Sequence, residues 1–259
     1  MIGLARFYLF AILVFLYLPI VVMMAMGFNE SALYELPFHF STKWYVALAS
    51  NEQLISAGVN SIVIAVITAV VATVLGTMAS VALARRTFKG KTLLQLMLLP
   101  PIAIPWLITG TAMLVFFFWT GIGRGMHALL IGHVALAIPY VVLVVGTGFQ
   151  TIRADLEEAA MSLGSTPIHA FFSVTLPLLA PSILGAALFA FAVSLDQFVI
   201  SYFLATPGFT TLPVQIYSAI RKGFTPEINA ISTILLIGSM AAILVFAIFA
   251  RPGGVSDKR

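Results

Sequence analysis

The sequence predicts an all-α membrane protein with six transmembrane helices. Hydrophobic residues make up 61% of its 259 residues, only 8% are charged, and the mean hydropathy is +1.10. Soluble domains are nearer half apolar and a quarter charged, so a water-soluble core could not bury this much apolar surface. The apolar runs are continuous and about 20 residues long, which suits helices crossing a hydrocarbon core ~30 Å thick. Barrel strands would alternate in polarity and be about half as long.

The predicted spans form a single membrane domain over residues 1–259. They lie at about 7–28, 56–84, 92–119, 127–149, 182–204 and 227–250. In the third span, Pro100, Pro101 and Pro105 predict a break. Such a break marks either a packing kink or a cavity on a translocation path, since the freed backbone groups must be paired there.

The lysines and arginines predict that both termini lie in the cytoplasm. The inner side then carries nine of the thirteen basic residues: Arg6, Arg85, Arg86, Lys89, Lys91, Arg153, Arg251, Lys258 and Arg259. The outer side carries the other four: Lys43, Arg124, Arg221 and Lys222. This excess on the inside sets the orientation of membrane proteins. The pI near 9.5 therefore reflects topology rather than nucleic-acid binding, and the absence of cysteine excludes disulfides and thiol chemistry.

The loop between spans four and five, residues 150–181, predicts a small amphipathic helix–turn–helix. It contains the stretch EEAAMSLGSTPIHAFFSVTLP at 157–177. Three acids lie early in the first helix, where the helix dipole favours negative charge: Asp155, Glu157 and Glu158. Gly164 is expected to end this helix in a left-handed conformation.

The second helix of the loop is expected to be capped by Ser165 or Thr166, with Pro167 in its first turn. A mostly apolar face follows at helical spacing, formed by Ile168, Phe171, Phe172 and Thr175. Pro177 is expected to end the helix. Two interpretations remain open from these residues alone: a helix lying on the bilayer surface, or a docking surface for another protein.

The loop also resembles the EAA loop of ATP-binding-cassette importer permeases. Five elements keep that family's spacing: Glu158-Ala159-Ala160, three residues, Gly164, nine residues, Val174, one residue, and Leu176-Pro177. Only Val174 departs, since the family usually has isoleucine there. Two further segments are similar to permeases of spermidine/putrescine importers: SLDQFVISYFL at 194–204 and LPVQIYSAIRKGFTPEINAISTILL at 212–236.

The resemblance implies the type I importer (MetI-like) permease fold and a bacterial inner-membrane location. It implies that the loop is a coupling helix docked on a cytoplasmic ATP-binding subunit through Glu158, Ala159, Ala160 and Gly164. The implied partners are two copies of that ATPase, a second similar permease and an extracytoplasmic solute-binding protein. The implied substrate is a polyamine or a related small amine or amino-acid-like solute.

Asp196 is the one acid in the interior of a predicted span. A carboxylate there is costly and usually faces a cavity or a partner. With Phe189 and Phe203 at helical spacing beside it, Asp196 suits an ammonium substrate. The alternative is a structural partner in another span or subunit. Ser194, Gln197 and Ser201 form a polar stripe on nearly the opposite face, and we do not expect both faces to line one pathway.

The sequence predicts no catalytic site, cofactor or metal. Gly90-Lys91-Thr92 matches the end of a phosphate-binding loop, but Arg85 stands where its first glycine is required. The histidines are scattered and are interpreted as paired or solvated. An ion-gradient-driven secondary carrier is the alternative function, although a single intramembrane acid is a thin provision for coupling ions. A non-transporting membrane scaffold would give no reason for the spacing of the loop.

Overall fold

The computed structural model describes residues 2–32, 35–98, 100–153, 155–223 and 226–249. Within these ranges the chain is helical apart from turns, bends and two isolated antiparallel bridges. The helices are α1 (Ile2–Met26), α2 (Lys43–Ala49), α3 (Glu52–Arg85), α4 (Lys91–Met97), α5 (Pro100–Ala103), α6 (Trp106–Trp119), α7 (Met126–Thr151), α8 (Asp155–Ser162), α9 (Pro167–Ala170), a π-helix (Phe171–Thr175), α10 (Leu176–Leu195), α11 (Phe198–Leu204), α12 (Leu212–Lys222) and α13 (Glu227–Phe249).

Four helical segments of the described chain are long and apolar enough to cross a bilayer. They are Gly3–Met26, Glu52–Arg85, Met126–Thr151 and Pro167–Leu195, and a bent pair of helices would be a fifth span. The sixth predicted span, 227–250, corresponds to α13, and its last residue lies outside the described chain. Helix α13 extends over 23 residues, of which Glu227–Ala241 form an apolar stretch outside the set of four. Four or five spans are therefore established, and the sixth remains a prediction.

The third span is broken, as its prolines predict. The segments Lys91–Ala103 and Trp106–Trp119 are inclined at 110° to each other. Pro105 has an extended backbone, with φ −54° and ψ 131°, immediately before α6. Because proline lacks an N–H, a helix can begin beside it but cannot run through it without losing a hydrogen bond.

The fifth span differs from its prediction at both ends. Its helix begins at Pro167 and passes Pro177 without ending, so the expected stop at Pro177 is wrong. The π-helix explains this: the N–H of Leu176 bonds to the carbonyl of Phe171, five residues back. In a regular helix, Pro177 would leave the carbonyl four residues earlier without a hydrogen bond and would clash with it. The wider π-turn directly before Pro177 lets the helix continue past it. The predicted continuous helix over 182–204 is also wrong, because α10 ends at Leu195 and α11 begins at Phe198.

Helix α7 is the centre of the body formed by the described residues within 59–214 and 243–259. Two buried clusters follow it. One joins α3, α6, α7 and α11 through Ile64, Phe117, Leu129, Leu136, Ile200 and Leu204. The other joins α3, α7 and α10 through Ala72, Val141, Val145, Leu179, Ala186 and Ala190. At Gly148 a side chain would come within 2.7 Å of Ser182 Cβ, so α7 and α10 approach closely where glycine leaves room.

The other body contains the described residues of 1–58 and 215–242. Its polar segment after α1 folds around Asn29, which is buried. The Asn29 amide donates to the carbonyl of Glu35 at 3.1 Å, and its side-chain oxygen accepts from the N–H of His39 at 3.1 Å. Trp44 Nε1 donates to the Asn29 carbonyl at 2.7 Å. These hydrogen bonds hold the segment that follows α1 in a compact turn around Asn29.

Candidate functional site

The loop between spans four and five forms the predicted helix–turn–helix. Helix α8 ends at Gly164, whose φ of +96° is the left-handed conformation that a residue with a side chain rarely adopts. The N–H of Ser165 bonds to the carbonyl of Ala160 at 3.1 Å, and the N–H of Gly164 bonds to that of Met161 at 3.0 Å. This is the Schellman arrangement, which pairs the last carbonyls of a helix. The predicted left-handed stop is confirmed.

The second helix of the loop is capped by Thr166, one of the two predicted caps. Its hydroxyl accepts from the N–H of His169 at 3.3 Å, and Pro167 occupies the first turn. Pro167 needs no hydrogen bond at that position. The turn between α8 and α9 is therefore fixed by local interactions, and α9 is the first turn of the fifth span.

The four residues proposed for docking lie along α8 and its end. Glu158, Ala159 and Gly164 are exposed, and Ala160 is half-buried. Within the described chain no side chain forms an ion pair with Glu158. Its carboxylate therefore remains available to a partner.

Exposed apolar side chains surround this helix. Leu163 is 90% exposed, Ile168 73% and Phe172 60%. Ile168 and Phe172 belong to the apolar face expected from the sequence, whereas Leu163 was not singled out. Apolar side chains next to an unpaired carboxylate form a surface suited to a protein partner.

The sequence analysis missed the role of Glu157. Both guanidinium Nη atoms of Arg85 donate to its carboxylate, Nη2 to Oε1 at 2.6 Å. The hydroxyl of Thr175, fully buried in the π-helix, donates to the same Oε1. The Arg85 guanidinium also lies 5.7 Å from the ring centroid of Phe149. The only signal in the sequence was a second acid beside Glu158, because partners 72 and 18 residues away cannot be paired by spacing.

A break at Asp196 and Gln197 interrupts the fifth span. Gln197 has φ −72° and ψ 91°, and its side-chain oxygen accepts from the N–H of Ile200 at 3.4 Å, so it caps α11. Gln197 is buried, whereas Asp196 is exposed. Ser194 and Ser201, the other two residues of the predicted polar stripe, are buried like Gln197.

His133 of α7 joins the two sides of this break. Its Nδ1 lies 2.8 Å from Ser194 Oγ on α10, and its Nε2 lies 3.0 Å from Ser201 Oγ on α11. All three side chains are buried. A neutral imidazole has one donor and one acceptor, and each hydroxyl can serve as either, so both bonds are satisfied at once. The interpretation of His133 as a paired histidine is confirmed.

The three predicted pathway residues lie on both sides of the break, Phe189 and Asp196 on α10 and its cap and Phe203 on α11. The Phe189 ring packs on Tyr140, with centroids 5.2 Å apart. Phe203 packs against the cluster that contains Phe117 and Ile200. Positions seven residues apart share a face only in a continuous helix. Because the helix breaks after Asp196, the spacing no longer places Phe203 on the face of Asp196, whereas Phe189 and Asp196 both belong to α10 and its C-terminal cap.

The chain combines several apolar helices long enough to cross a membrane with a structured helical loop that exposes an acid, Glu158. This arrangement is that of a multi-pass membrane subunit. The chain belongs to the family described as "Binding-protein-dependent transport system inner membrane component", whose model matches residues 72–251. It is therefore a permease subunit of the ATP-binding-cassette importer class, in which separate subunits hydrolyse ATP.

Two relatives from Escherichia coli K12 show how far the similarity extends. The chain is 38% identical over 230 residues to the putrescine transport system permease protein PotI, covering 86% of this chain and 82% of that protein. It is 34% identical over 241 residues to the spermidine/putrescine transport system permease protein PotC, covering 93% and 91%.

Solved structures support the fold. A chain of a bacterial transporter that imports the acidic polysaccharide alginate has a TM-score of 0.76 at 16% identity, covering 96% of this chain and 94% of that one. A chain of an amino acid transporter solved with histidines has a TM-score of 0.63 at 18% identity, covering 80% and 97%. At these identities the likeness concerns the fold alone.

The histidine bridge predicts a specific loss of stability. Replacing His133 with leucine leaves two buried hydroxyls without their interhelical partner, and each such bond contributes about 0.6–2 kcal/mol in membrane proteins. We expect His133→Leu to lower the free energy of unfolding by roughly 1–3 kcal/mol, measured as a lower melting temperature in detergent. His127→Leu is the matched control, because His127 is exposed and bonds only to the nearby carbonyl of Ile122. Equal melting temperatures for His133→Leu and the wild type would contradict the bridge.

Proposed function

We propose that this chain is the translocation subunit of an importer for polyamines or related small amines, driven by an ATPase that docks on α8. The observation that carries the proposal is the exposed Glu158, unpaired among the described residues, on a helix whose C-terminal turn is fixed by Gly164 and by the cap of the next helix, Thr166. The exposed side chains Leu163 and Phe172 give this surface an apolar component. A carboxylate with apolar neighbours suits a cleft that offers a basic group and an apolar floor.

The family supports the set of partners. We propose two ATP-binding subunits, a second similar permease and an extracytoplasmic solute-binding protein around this chain. One structural neighbour, at TM-score 0.71, is an alginate transporter in complex with a periplasmic protein carrying an alginate pentasaccharide. We also propose that α13 forms the sixth span, because the family match continues through it to residue 251. We propose that lipid covers α1, because no part of the apolar stretch tested within Gly3–Met26 is buried against the rest of the described chain.

The basic residues support a topology with both termini in the cytoplasm. Arg85, Arg86, Lys89 and Lys91 cluster at the end of α3 and the start of α4, and Arg153 precedes α8. Arg251, Lys258 and Arg259 lie outside the described residues. On this topology α8 faces the cytoplasm, where ATP is available.

A reporter that is active only in the cytoplasm tests this orientation. Inserted near Lys89 or fused after Arg259 it should be active, and inserted near Lys43 or Arg221 it should be silent. Expression of each fusion is checked by immunoblotting. Activity at Lys43 with silence at Lys89 would place α8 on the wrong side for an ATPase and overturn the proposal.

The substrate class is proposed from the relatives' names and from Asp196. PotI and PotC are named for putrescine and spermidine, which carry ammonium groups. Asp196 is exposed at the C-terminal end of α10, where the helix dipole adds negative potential. A cationic group is therefore attracted by a carboxylate and a helix end together.

Charge removal at Asp196 tests this substrate class. Asp196→Asn keeps the shape and removes the charge, so we expect uptake to fall about tenfold or more, as for loss of a hydrogen bond to a charged group. Asp196→Glu keeps the charge and should retain more uptake than Asp196→Asn. Uptake is measured in proteoliposomes, alongside the melting temperature of the complex. A destabilised Asp196→Asn complex would indicate the structural alternative, and normal uptake would refute the pathway role.

Charge reversal at Glu158 tests ATPase docking. Glu158→Lys places a positive charge against a basic partner, and loss of one partner of a buried charge pair costs about 2 kcal/mol or more, or about 30-fold in association. We expect less co-purified ATPase and little ATP-dependent uptake, with normal amounts of permease in the membrane. Gly164→Val should act similarly, because valine rarely adopts a φ of +96°. Uptake that ignores ATP and follows an ion gradient would favour the secondary carrier instead.

A further inference from the structure

The cluster around Glu157 joins four segments of the chain at one point. Arg85 lies in the last turn of α3, Phe149 near the end of α7, Glu157 in the first turn of α8, and Thr175 at the end of the π-helix. Their contacts are the bidentate ion pair, the hydroxyl bond and the ring contact described above. We refer to Arg85, Glu157 and Thr175 as the clamp.

The clamp is unlike an ordinary surface ion pair. The side chains of Arg85 and Glu157 are only 31% and 15% exposed, and Thr175 is fully buried. Both carboxylate oxygens of Glu157 are occupied, and a planar guanidinium fixes direction as well as distance. The side chains of the neighbouring ion pair, Arg153 and Asp155, are 80% and 54% exposed. Such an exposed pair contributes little to the free energy of folding.

Apart from the clamp, α8 is held by its chain connections and by packing against α9 and the π-helix. Ile152 is extended, with φ −93° and ψ 124°, on the side of α7. Gly164 and Ser165 form the turn on the side of α9. No residue of α8 is fully buried, so this packing is shallow. The Glu157 carboxylate is the side chain through which α8 bonds to α3 and to the fifth span within the described chain.

We propose that Glu157 is the positioning residue through which movement of α8 is transmitted to the spans. The proposal rests on the proposed function, in which an ATPase pushes on α8. Adjacent residues of a helix point about 100° apart, so Glu158 faces the partner while Glu157 faces the spans. A push received at Glu158 reaches α3 through Arg85 and the fifth span through Thr175.

Isosteric variants at the two glutamates separate docking from transmission. In the assembled complex, Glu157→Gln should keep ATPase association and basal ATP hydrolysis but transport at least about fivefold fewer substrate molecules per ATP, because the neutral amide binds Arg85 and Thr175 weakly. Glu158→Gln is the matched control and should instead lose ATPase association. If Glu157→Gln lost association in the same way, Glu157 would be a docking residue and the proposal would fail. A normal transport-to-hydrolysis ratio would also overturn it.

A charge exchange distinguishes transmission from simple structural support. Arg85→Glu and Glu157→Arg should each uncouple transport, and the double variant should recover at least about half of the wild-type ratio. Failure of the double variant, when its melting temperature equals that of the wild type, would contradict the clamp. Thr175→Val removes only the hydroxyl and should give a smaller loss of coupling than Glu157→Gln.

The mobility of α8 provides a readout that needs no ATPase. The chain has no cysteine, so a single Ala159→Cys can carry a spin label on this exposed helix. We expect Glu157→Gln to increase the label's mobility in the purified permease. Unchanged mobility would refute the clamp even if the proposed function holds. Increased mobility, together with an unlabelled wild-type permease that binds no ATPase, would instead refute the proposed function and leave the clamp as a structural feature.

Discussion

Backbone pairing in an apolar solvent is the constraint on which this structure depends. Inside a bilayer every N–H and C=O needs a partner, so each interruption of a span must be compensated nearby. At the break in the fifth span, Gln197 caps the new helix and His133 bonds to one serine on each side. In the first part of the same span, the π-helix lets the helix continue past Pro177. At both places local hydrogen bonds pair backbone groups, and at the break His133 of α7 also joins the two helices through their serine side chains.

In the proposed mechanism the two adjacent glutamates have different roles. Glu158 is exposed and unpaired among the described residues, whereas the oxygens of Glu157 are taken by Arg85 and Thr175. A carboxylate that faces a partner is of little use if its helix swivels independently of the spans. A carboxylate that anchors the helix cannot at the same time bind the partner. Two acids in sequence on one helical turn meet both requirements because their side chains point in different directions.

Local chemistry could be predicted from the sequence, and long-range pairing could not. Composition and run length identified a helical membrane protein, and the turn at Gly164 and the cap at Thr166 followed from rules that involve neighbouring residues only. Pro177 was expected to stop a helix because the π-helix that accommodates it leaves no clear mark in the sequence. The break after Asp196 was missed for a similar reason, since its compensation comes from His133, more than 60 residues earlier. Arg85 and Glu157 are 72 residues apart, so their pairing emerges only when α3 and α8 are folded.

Helix α10 places the clamp and the break at the two ends of one rigid element. Thr175 immediately precedes this helix and Asp196 immediately follows it. Its 20 residues span about 30 Å at ~1.5 Å per residue, which is the thickness of a hydrocarbon core. Along this length α10 packs on α7 through Leu179, Ala186 and Ala190. A packed helix transmits displacement as a body, so a tilt imposed beside Thr175 also moves the end that carries Asp196. The loop and the proposed substrate site can then be coupled through α10 alone, with Thr175 of the clamp at one end and Asp196 at the other. No series of side-chain rearrangements between the two ends is required.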